Sequence, residues 1–194
     1  MPLSQPVDRE LIHTREIRCE GYLRSDGLWD IEGVLRDTKT YELQHLLRHP
    51  VEAGAPTHDM KARLTISDDR KIVAVQIAMD AYAFPACPIA LPNYQQLVGL
   101  EVGAGFTKKM YELVGHTHGC THMVWLLQCI ARTAVQTLTK RVRRGQASEL
   151  NAIFGRRSDS GDPALIDSCS AYAVDGEVVR QLYPVYYKQP GGAR

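Results

Sequence analysis

Alternation of apolar and polar residues predicts two β-hairpins in the first half of the chain. Residues 16–23 alternate and residues 28–35 continue the pattern, with the turn signal Asp26-Gly27 between them. Residues 37–47 are an extension of the same sheet in this interpretation. The Pro- and Gly-containing stretch 49–57 then predicts a loop.

The second predicted hairpin joins residues 60–66 to residues 71–82 across the polar turn 67–70. In its first strand Ala62, Leu64 and Ile66 share one face. In its second strand the residues expected to share one face are Val73, Val75, Ile77 and Met79. Two adjacent hairpins of this kind favour one antiparallel sheet.

Helical periodicity replaces alternation after the three prolines of residues 85–92. Short helices are predicted for 93–100, with Asn93 as its cap, and for 107–114. The strongest helical pattern covers residues 121–144, where one apolar stripe contains Met123, Leu127, Ile130, Ala134 and Leu138. Gly145 follows as a stop signal.

The order of the elements predicts an α+β fold, with a mostly antiparallel sheet of hairpins, one long helix and two short helices. A third hairpin is expected from residues 164–173 and 177–183, with Asp175-Gly176 at its turn. The predicted organisation is a flexible arm (1–14), a single domain (15–188) and a frayed tail (189–194). Residues 145–163 are interpreted as a mobile loop or a lid.

Composition narrows the classes of function. The chain has 194 residues, 44% of them hydrophobic, and a net charge of +1, which gives no reason to expect nucleic acid or an anionic membrane as a partner. It has neither a signal-like apolar segment at its start nor a run approaching the ~20 apolar residues of a membrane span. Five cysteines, an odd number, argue against a disulfide framework and favour the cytoplasm. Motifs for nucleotide cofactors are missing, so none is expected.

Candidate chemistry begins with His58-Asp59, at the junction of a loop and a strand. An imidazole there could be an acid, a base or a metal ligand, although adjacent strand residues point to opposite faces. Taken alone, the pair is more often an ordinary surface pair at the start of a strand.

Cys120 and His122 open the long helix, directly after the small and imidazole residues of 115–119. The positive end of the helix dipole favours a thiolate, which is both the nucleophilic and the metal-binding form of cysteine. Cys87 gains interest only if the fold brings it to Cys120. The remaining cysteines are interpreted as core residues; they are Cys19, Cys129 and Cys169.

Four further residues are candidates for binding a substrate. Arg24 and Asp37 flank the first hairpin and could hold a polar group, although a surface role is equally compatible with their positions. Trp29 and Tyr94 could line an aromatic pocket.

Specific motifs give the chain a resemblance to a bacterial domain-of-unknown-function family, number 2889, over nearly its whole length. The residues that carry it are Arg18–Arg24, Asp26–Ile31, His58–Met60, Cys87, Gly99, Gly105-Phe106, Gly119–His122, Asp175–Arg180 and Leu182–Pro184. The resemblance implies bacterial origin and the catabolism of lignin-like aromatic compounds, including loss of a side-chain hydroxymethyl group as formaldehyde.

A more distant likeness covers the middle of the chain, which is similar in layout to iron–sulfur scaffold proteins. Those proteins hold a cluster with three cysteines and an aspartate. Cys87 and Cys120 match two of the cysteines, whereas Thr57 or His58 stands in place of the first. The likeness implies that His58 or Asp59, Cys87 and Cys120 converge in space.

Three functions remain open at this point. The first is a carbon–carbon lyase acting on a small aromatic compound, with His58 or His122 as base, Asp59 or Asp37 orienting it, and Cys120 in the same site. The second is a protein with a single zinc or iron ion held by His58, Cys87 and Cys120, with Asp59 or His122 completing the site. The third is a ligand-binding or scaffold domain without catalysis. A homodimer is left open in each case.

Overall fold

The computed structural model describes residues 3–45, 47–141, 151, 153–155 and 160–189. Their centre is a four-stranded antiparallel sheet in which each strand pairs with the next one in sequence. The strands are β1 (His13–Leu23), β2 (Trp29–Lys39), β3 (Pro56–Ile66) and β4 (Ile72–Ala81). The two predicted hairpins and the α+β class are therefore confirmed.

Among the described residues, three α-helices have complete bounds: α1 (Phe106–Val114), α2 (Thr121–Leu138) and α3 (Glu177–Leu182). Short 3-10 helices are formed by Cys87–Leu97, His116–His118, Thr139–Arg141, Ser170–Tyr172 and Pro184–Tyr186. The helix expected at 93–100 is thus an earlier 3-10 helix, in which Pro92 lacks the N–H group that an α-helix would use. The long helix gives way at Thr139 to a 3-10 turn, and residues 142–144 lie outside the described part.

Helix α2 packs closely on one face of the sheet because small residues lie beneath it. A Cβ atom added to Gly33 would lie 2.6 Å from Ile130, and one added to Gly21 would lie 2.0 Å from Thr137. The predicted apolar stripe of α2 is buried against this face, together with Trp29, Ile31 and Leu35 of β2. The main core therefore lies between α2 and the sheet.

The opposite face of the sheet carries charged side chains. Arg63 of β3 binds Glu32 of β2, and Lys61 binds Asp80 of β4 at 2.5 Å. This arrangement is typical of an antiparallel sheet with one face in the core and one face in water.

One predicted face is wrong at Val73, which is 44% exposed while Val75 and Met79 are buried. The register between β3 and β4 shifts next to Thr65, so that Thr65 pairs with Ala74 and Ile66 pairs with Ile72. This bulge leaves Val73 as the extra residue and reverses the direction of its side chain.

The third predicted hairpin is wrong. Residues 177–182 form α3, and Ser170–Tyr172 form a 3-10 helix. Val179 and Tyr183 lie four residues apart and are buried together with Ile166 in a second, smaller cluster. Asp175-Gly176 therefore precedes a helix instead of turning a hairpin.

The predicted domain boundaries are changed at one end. His13 and Thr14, assigned to the flexible arm, belong to β1. The predicted loop or lid of residues 145–163 falls largely outside the described residues, although residues 151, 153 and 154 are helical. Of the predicted tail, only residue 189 is described. Among the described helices, none has the length and apolar character needed to cross a membrane.

Candidate functional site

A buried carboxylate, Asp37, lies near the end of β2 at the centre of a polar cluster, the Asp37 cluster, whose other members are His13, Arg15, His58 and His122. Arg15 of β1 and His58 of β3 are its neighbours across the two strand pairs. The three residues therefore form a row across the sheet, on the face that α2 covers. Asp37 is 1% exposed, so its charge must be balanced by protein groups.

Arg15 provides most of that balance. Its Nε donates to Oδ1 of Asp37 and its Nη2 donates to Oδ2, both at 2.7 Å. Burial alone would raise the pKa of Asp37, but the hydrogen bonds and the charge of Arg15, together with the smaller effects of His58 and His13, outweigh it, and the pKa lies below its ordinary value. Asp37 is therefore ionised at neutral pH and rigidly held.

His58 is oriented by the same carboxylate. Its Nδ1 lies 3.0 Å from Oδ2 of Asp37, and its side chain is 15% exposed. Burial and the neighbouring imidazole of His122 lower the pKa of His58, although Asp37 acts in the opposite direction. A neutral imidazole that donates from Nδ1 to Asp37 keeps Nε2 as a proton acceptor.

His122 enters the cluster from the first turn of α2. Its ring stacks on that of His58 with centroids 3.8 Å apart, and its Nε2 lies 3.9 Å from Oδ2 of Asp37. Burial lowers its pKa, and the charge of Arg15 adds to this effect. Two stacked imidazoles repel each other when both are charged, so at neutral pH the pair carries at most one positive charge.

His13 approaches from the edge strand, where its Nε2 lies 3.4 Å from Oδ1 of Asp37. Sequence reasoning missed both His13 and Arg15. The available signal was that His13, Arg15 and Ile17 occupy alternate positions of one strand. The missing information was the pairing register that puts Arg15 beside Asp37.

The start of α2 is fixed by Tyr94, which is fully buried. Its hydroxyl accepts a hydrogen bond from the backbone N–H of Cys120 at 2.8 Å, and burial raises the pKa of Tyr94 to about 12. Asn93 also holds this loop, because its Nδ2 donates to the backbone oxygen of His118 at 2.8 Å. The predicted aromatic contact of Tyr94 is therefore a contact to the protein backbone that positions Cys120 and His122.

A cavity of about 460 Å³ opens beside the cluster. His58, Cys87, Cys120 and His122 line it. The Sγ atom of Cys120 lies 3.9 Å from Nδ1 of His122. The apolar part of the lining includes Met60, Ala83, Phe84, Ala86, Ile89 and Ala90. The expected convergence around one cavity therefore holds for His58, Cys87 and Cys120.

Asp59 does not share this cavity. It lies opposite Arg36 on the other face of the sheet, with 4.0 Å between its Oδ2 and Nε of Arg36. The carboxylate that orients His58 is Asp37. The aspartate that the likeness to iron–sulfur scaffold proteins would place at this cavity, Asp59, lies on the other face. The alternation of side chains along β3 is the physical reason.

The metal ligands predicted from sequence meet only in part: His58 and His122 come together, but their third partner is Asp37 instead of a cysteine. Within the described part of the chain, the one group of three His, Cys, Asp or Glu side chains with donor atoms all within 4.8 Å of one another is Asp37, His58 and His122. Cys87 and Cys120 line the cavity without joining this group. Two imidazoles and a carboxylate form a donor set that suits zinc or iron.

Arg24 and Trp29 lie at the other end of the sheet. Trp29 is eight residues from Asp37 along β2, about 26 Å at the usual rise of a strand. It is 1% exposed, and its Nε1 donates to Asp68 at 3.0 Å. Arg24 binds Asp26 and Asp30 around the first hairpin turn. The structure therefore gives both residues structural contacts away from the cluster.

The other three cysteines divide into two kinds. Cys19 and Cys129 are half-buried, and burial raises the pKa of each thiol. Their interpretation as core residues agrees with this setting. Cys169 is exposed at the start of a 3-10 helix, so its core assignment is wrong.

A larger cavity, of about 720 Å³, lies between α2 and the C-terminal segment and includes Arg132, Cys169 and Tyr172 in its lining. It contains no group of converging ionisable side chains comparable to that at Asp37 among the described residues. Chemistry, rather than volume, therefore identifies the smaller cavity as the candidate site.

Neither a curated protein nor a solved structure matches the chain. One family model, described as "Protein of unknown function (DUF2889)", matches residues 13–136. The matched region begins at the first residue of β1 and ends within α2, and it contains every member of the Asp37 cluster and of the adjoining cavity. On this match the chain belongs to the DUF2889 family.

Proposed function

We propose that this protein is a bacterial catabolic enzyme that acts on small lignin-like aromatic compounds as a carbon–carbon lyase, releasing formaldehyde from a hydroxymethyl side chain. The observation that best supports this proposal is the hydrogen bond between Asp37 and His58, beside a cavity that is lined by both apolar and polar side chains. The substrate class rests on the family resemblance. Reduced cysteines agree with a cytoplasmic location.

The reaction needs a base on the hydroxyl group of the substrate. His58 takes this proton at Nε2, the carbon–oxygen double bond of formaldehyde forms, and the carbon–carbon bond breaks. The electron pair passes to the remaining carbon, where a conjugated phenol spreads the charge. A proton from the cluster then completes the product, so no redox partner is needed.

His58 is also the proposed proton donor to carbon: the proton that its Nε2 takes from the hydroxyl group returns to the carbanion carbon, and the imidazole ends the cycle neutral. His122 stacks on His58 and holds its ring at this side of the cavity. Asp37 stabilises the imidazolium that forms on His58, while Arg15 keeps the carboxylate ionised. Cys120 lies next to His122 and shapes the cavity wall.

The apolar lining is the proposed place of the aromatic ring. Phe84 and Ile89 are 44% and 78% exposed and stand at the rim of the cavity, with Met60 buried in its wall. An apolar pocket with a few convergent polar groups is the usual form of a small-molecule site. This lining takes the place of the aromatic pocket expected from Trp29 and Tyr94.

The test is formaldehyde release from a panel of lignin-like dimers by the purified protein. His58→Gln should lower turnover by about 10²–10⁴-fold, the usual loss for a missing general base, without changing the melting temperature greatly. His118→Gln is the matched control, because His118 is exposed and its side chain lies outside the cavity lining. Equal loss in both variants, or no formaldehyde from any substrate, would contradict the proposal.

A metal-binding protein is the second candidate, favoured by the convergence of Asp37, His58 and His122. These residues would hold a zinc or iron ion, which would supply a Lewis acid or an activated water. Arg15 weakens the fit, because its guanidinium already occupies both oxygens of the carboxylate and would repel a cation. Metal analysis of the purified protein, with formaldehyde release measured with and without a chelator, separates the two candidates.

A further inference from the structure

Strand β1 is an edge strand of the sheet, and it is open as far as the described residues extend. It pairs with β2 over all eleven of its residues without a register shift, and no other described strand lies beside it. Such an edge presents unpaired N–H and C=O groups that template pairing with another strand. Natural edge strands are often protected by proline, by a bulge or by charged side chains. Strand β1 has neither proline nor a bulge, and its charged residues are of both signs, so a second copy can match them.

Exposed apolar residues lie at both ends of this edge. Leu11 and Ile12, just before β1, are 64% and 44% exposed. Tyr22 and Leu23, at its other end, are 45% and 48% exposed. Between them the charged residues Glu16 and Arg18 point to the face of the sheet that α2 leaves open.

We propose that two copies of this chain pair through their β1 edges in antiparallel orientation, with Ile17 opposite Ile17 of the second copy. This register places Leu11 opposite Leu23 and Ile12 opposite Tyr22. It also places Glu16 opposite Arg18. Each contact occurs twice, because a two-fold axis makes the interface self-complementary.

The neighbouring registers are less favourable. A shift of two residues that brings Arg18 opposite Arg18 also sets Glu16 opposite Glu20, so like charges meet directly. A shift in the other direction brings Glu16 opposite Glu16. A larger shift pairs Arg18 with Glu20 and Cys19 with Cys19, but it moves Leu11 and Ile12 past the end of β1 in the second copy.

Arg18 already binds Glu20 of its own chain at 2.7 Å, with side chains 77% and 42% exposed. An exposed ion pair of this kind contributes little to stability, so the guanidinium of Arg18 can also bind Glu16 of a second copy. The paired edges would form one continuous sheet of eight strands. Each Asp37 cluster would then lie beside the interface, because Arg15 stands opposite Cys19 of the second copy.

Charge reversal tests the contact between Glu16 and Arg18. Arg18→Glu should raise the dimer dissociation constant about tenfold in sedimentation or light-scattering measurements, because two attractive pairs become repulsive. The double variant Glu16→Arg/Arg18→Glu should restore the wild-type value. Lys61→Glu is the matched control, since Lys61 lies on the same open face of the sheet but on β3.

Disulfide trapping tests the register. Cross-strand partners lie about 4.5–5.5 Å apart between Cα atoms, within the range that a disulfide spans. Ile17→Cys should therefore give an oxidised dimer linked through residue 17. A wild-type dimer linked through Cys19 would overturn the proposed register. A monomer at all concentrations, in the wild type and in the double charge variant, would overturn the interface itself. None of these readouts depends on catalytic activity.

Discussion

The two ends of β2 differ although they share one strand and one face. Trp29 and Asp37 are both about 1% exposed. Trp29 is surrounded by the apolar core and needs one hydrogen bond, to Asp68. Asp37 is surrounded by Arg15, three histidines and the start of α2. The difference follows from α2, whose apolar turns cover the middle of the sheet while its first turn brings His122 to the Asp37 end.

The largest expected difference is between the two carboxylates on either face of the same end of the sheet. Asp37→Ala should lower the free energy of unfolding by about 3 kcal/mol, because it leaves Arg15 and the imidazoles without their acceptor. Asp59→Ala should stay within about 0.5 kcal/mol, since the one ion pair that it makes among the described residues is long. Urea denaturation of both variants measures the difference, and equal losses would show that Asp37 is not the centre of the cluster.

Gly33 lies midway between Trp29 and Asp37 on β2, and its substitution should disturb the packing at both ends of the strand. Gly33→Ala should cost about 2 kcal/mol, because the new methyl group would lie within 2.6–2.9 Å of Ile130 and Leu126. Displacement of α2 should also change the NMR chemical shifts of His122. Gly27→Ala serves as a reference for the strain of a positive φ without a contact, because nothing lies within 4 Å of its added Cβ atom.

Tyr94 should connect the apolar core to the end of the sheet that carries the Asp37 cluster. Tyr94→Phe should lower the free energy of unfolding by about 1 kcal/mol, since the N–H of Cys120 loses its acceptor. Tyr41→Phe, at a residue 43% exposed, should have almost no effect. If Tyr94→Phe leaves both the stability and the His122 resonances unchanged, the hydroxyl does not position the start of α2.

The smallest expected effect is a dependence of stability on pH that comes from the two histidines of the Asp37 cluster with lowered pKa values. His58 and His122 have pKa values below the ordinary 6.5, chiefly through burial, so the unfolded chain binds protons first. Stability is therefore complete above about pH 6.5 and decreases as the pH falls through the folded-state pKa values. In the double variant His58→Gln/His122→Gln this part of the curve should be flatter. An unchanged slope of stability against pH would contradict the lowered pKa values of His58 and His122.

Prediction from sequence succeeded where local pattern decides structure. Alternation located the four strands, and the apolar stripe located α2. It failed at residues 177–183, where Val179 and Tyr183 fit a strand or a helix equally well in a short segment. Val73 was misplaced because a bulge, which leaves no distinctive sequence signal, reverses the direction of its side chain.

The sequence by itself determined the sheet, the long helix and the types of side chain available for chemistry, because these follow from periodicity and composition. Only the tertiary structure decided which of them meet. The register of β1, β2 and β3 set Arg15, Asp37 and His58 in one row and turned Asp59 to the other face. The close contact that Gly33 permits brought His122 onto that row. If one of these strands were paired one residue out of register, its sequence pattern would still fit a sheet. Each of its side chains would then point to the opposite face, and the Asp37 cluster would not form.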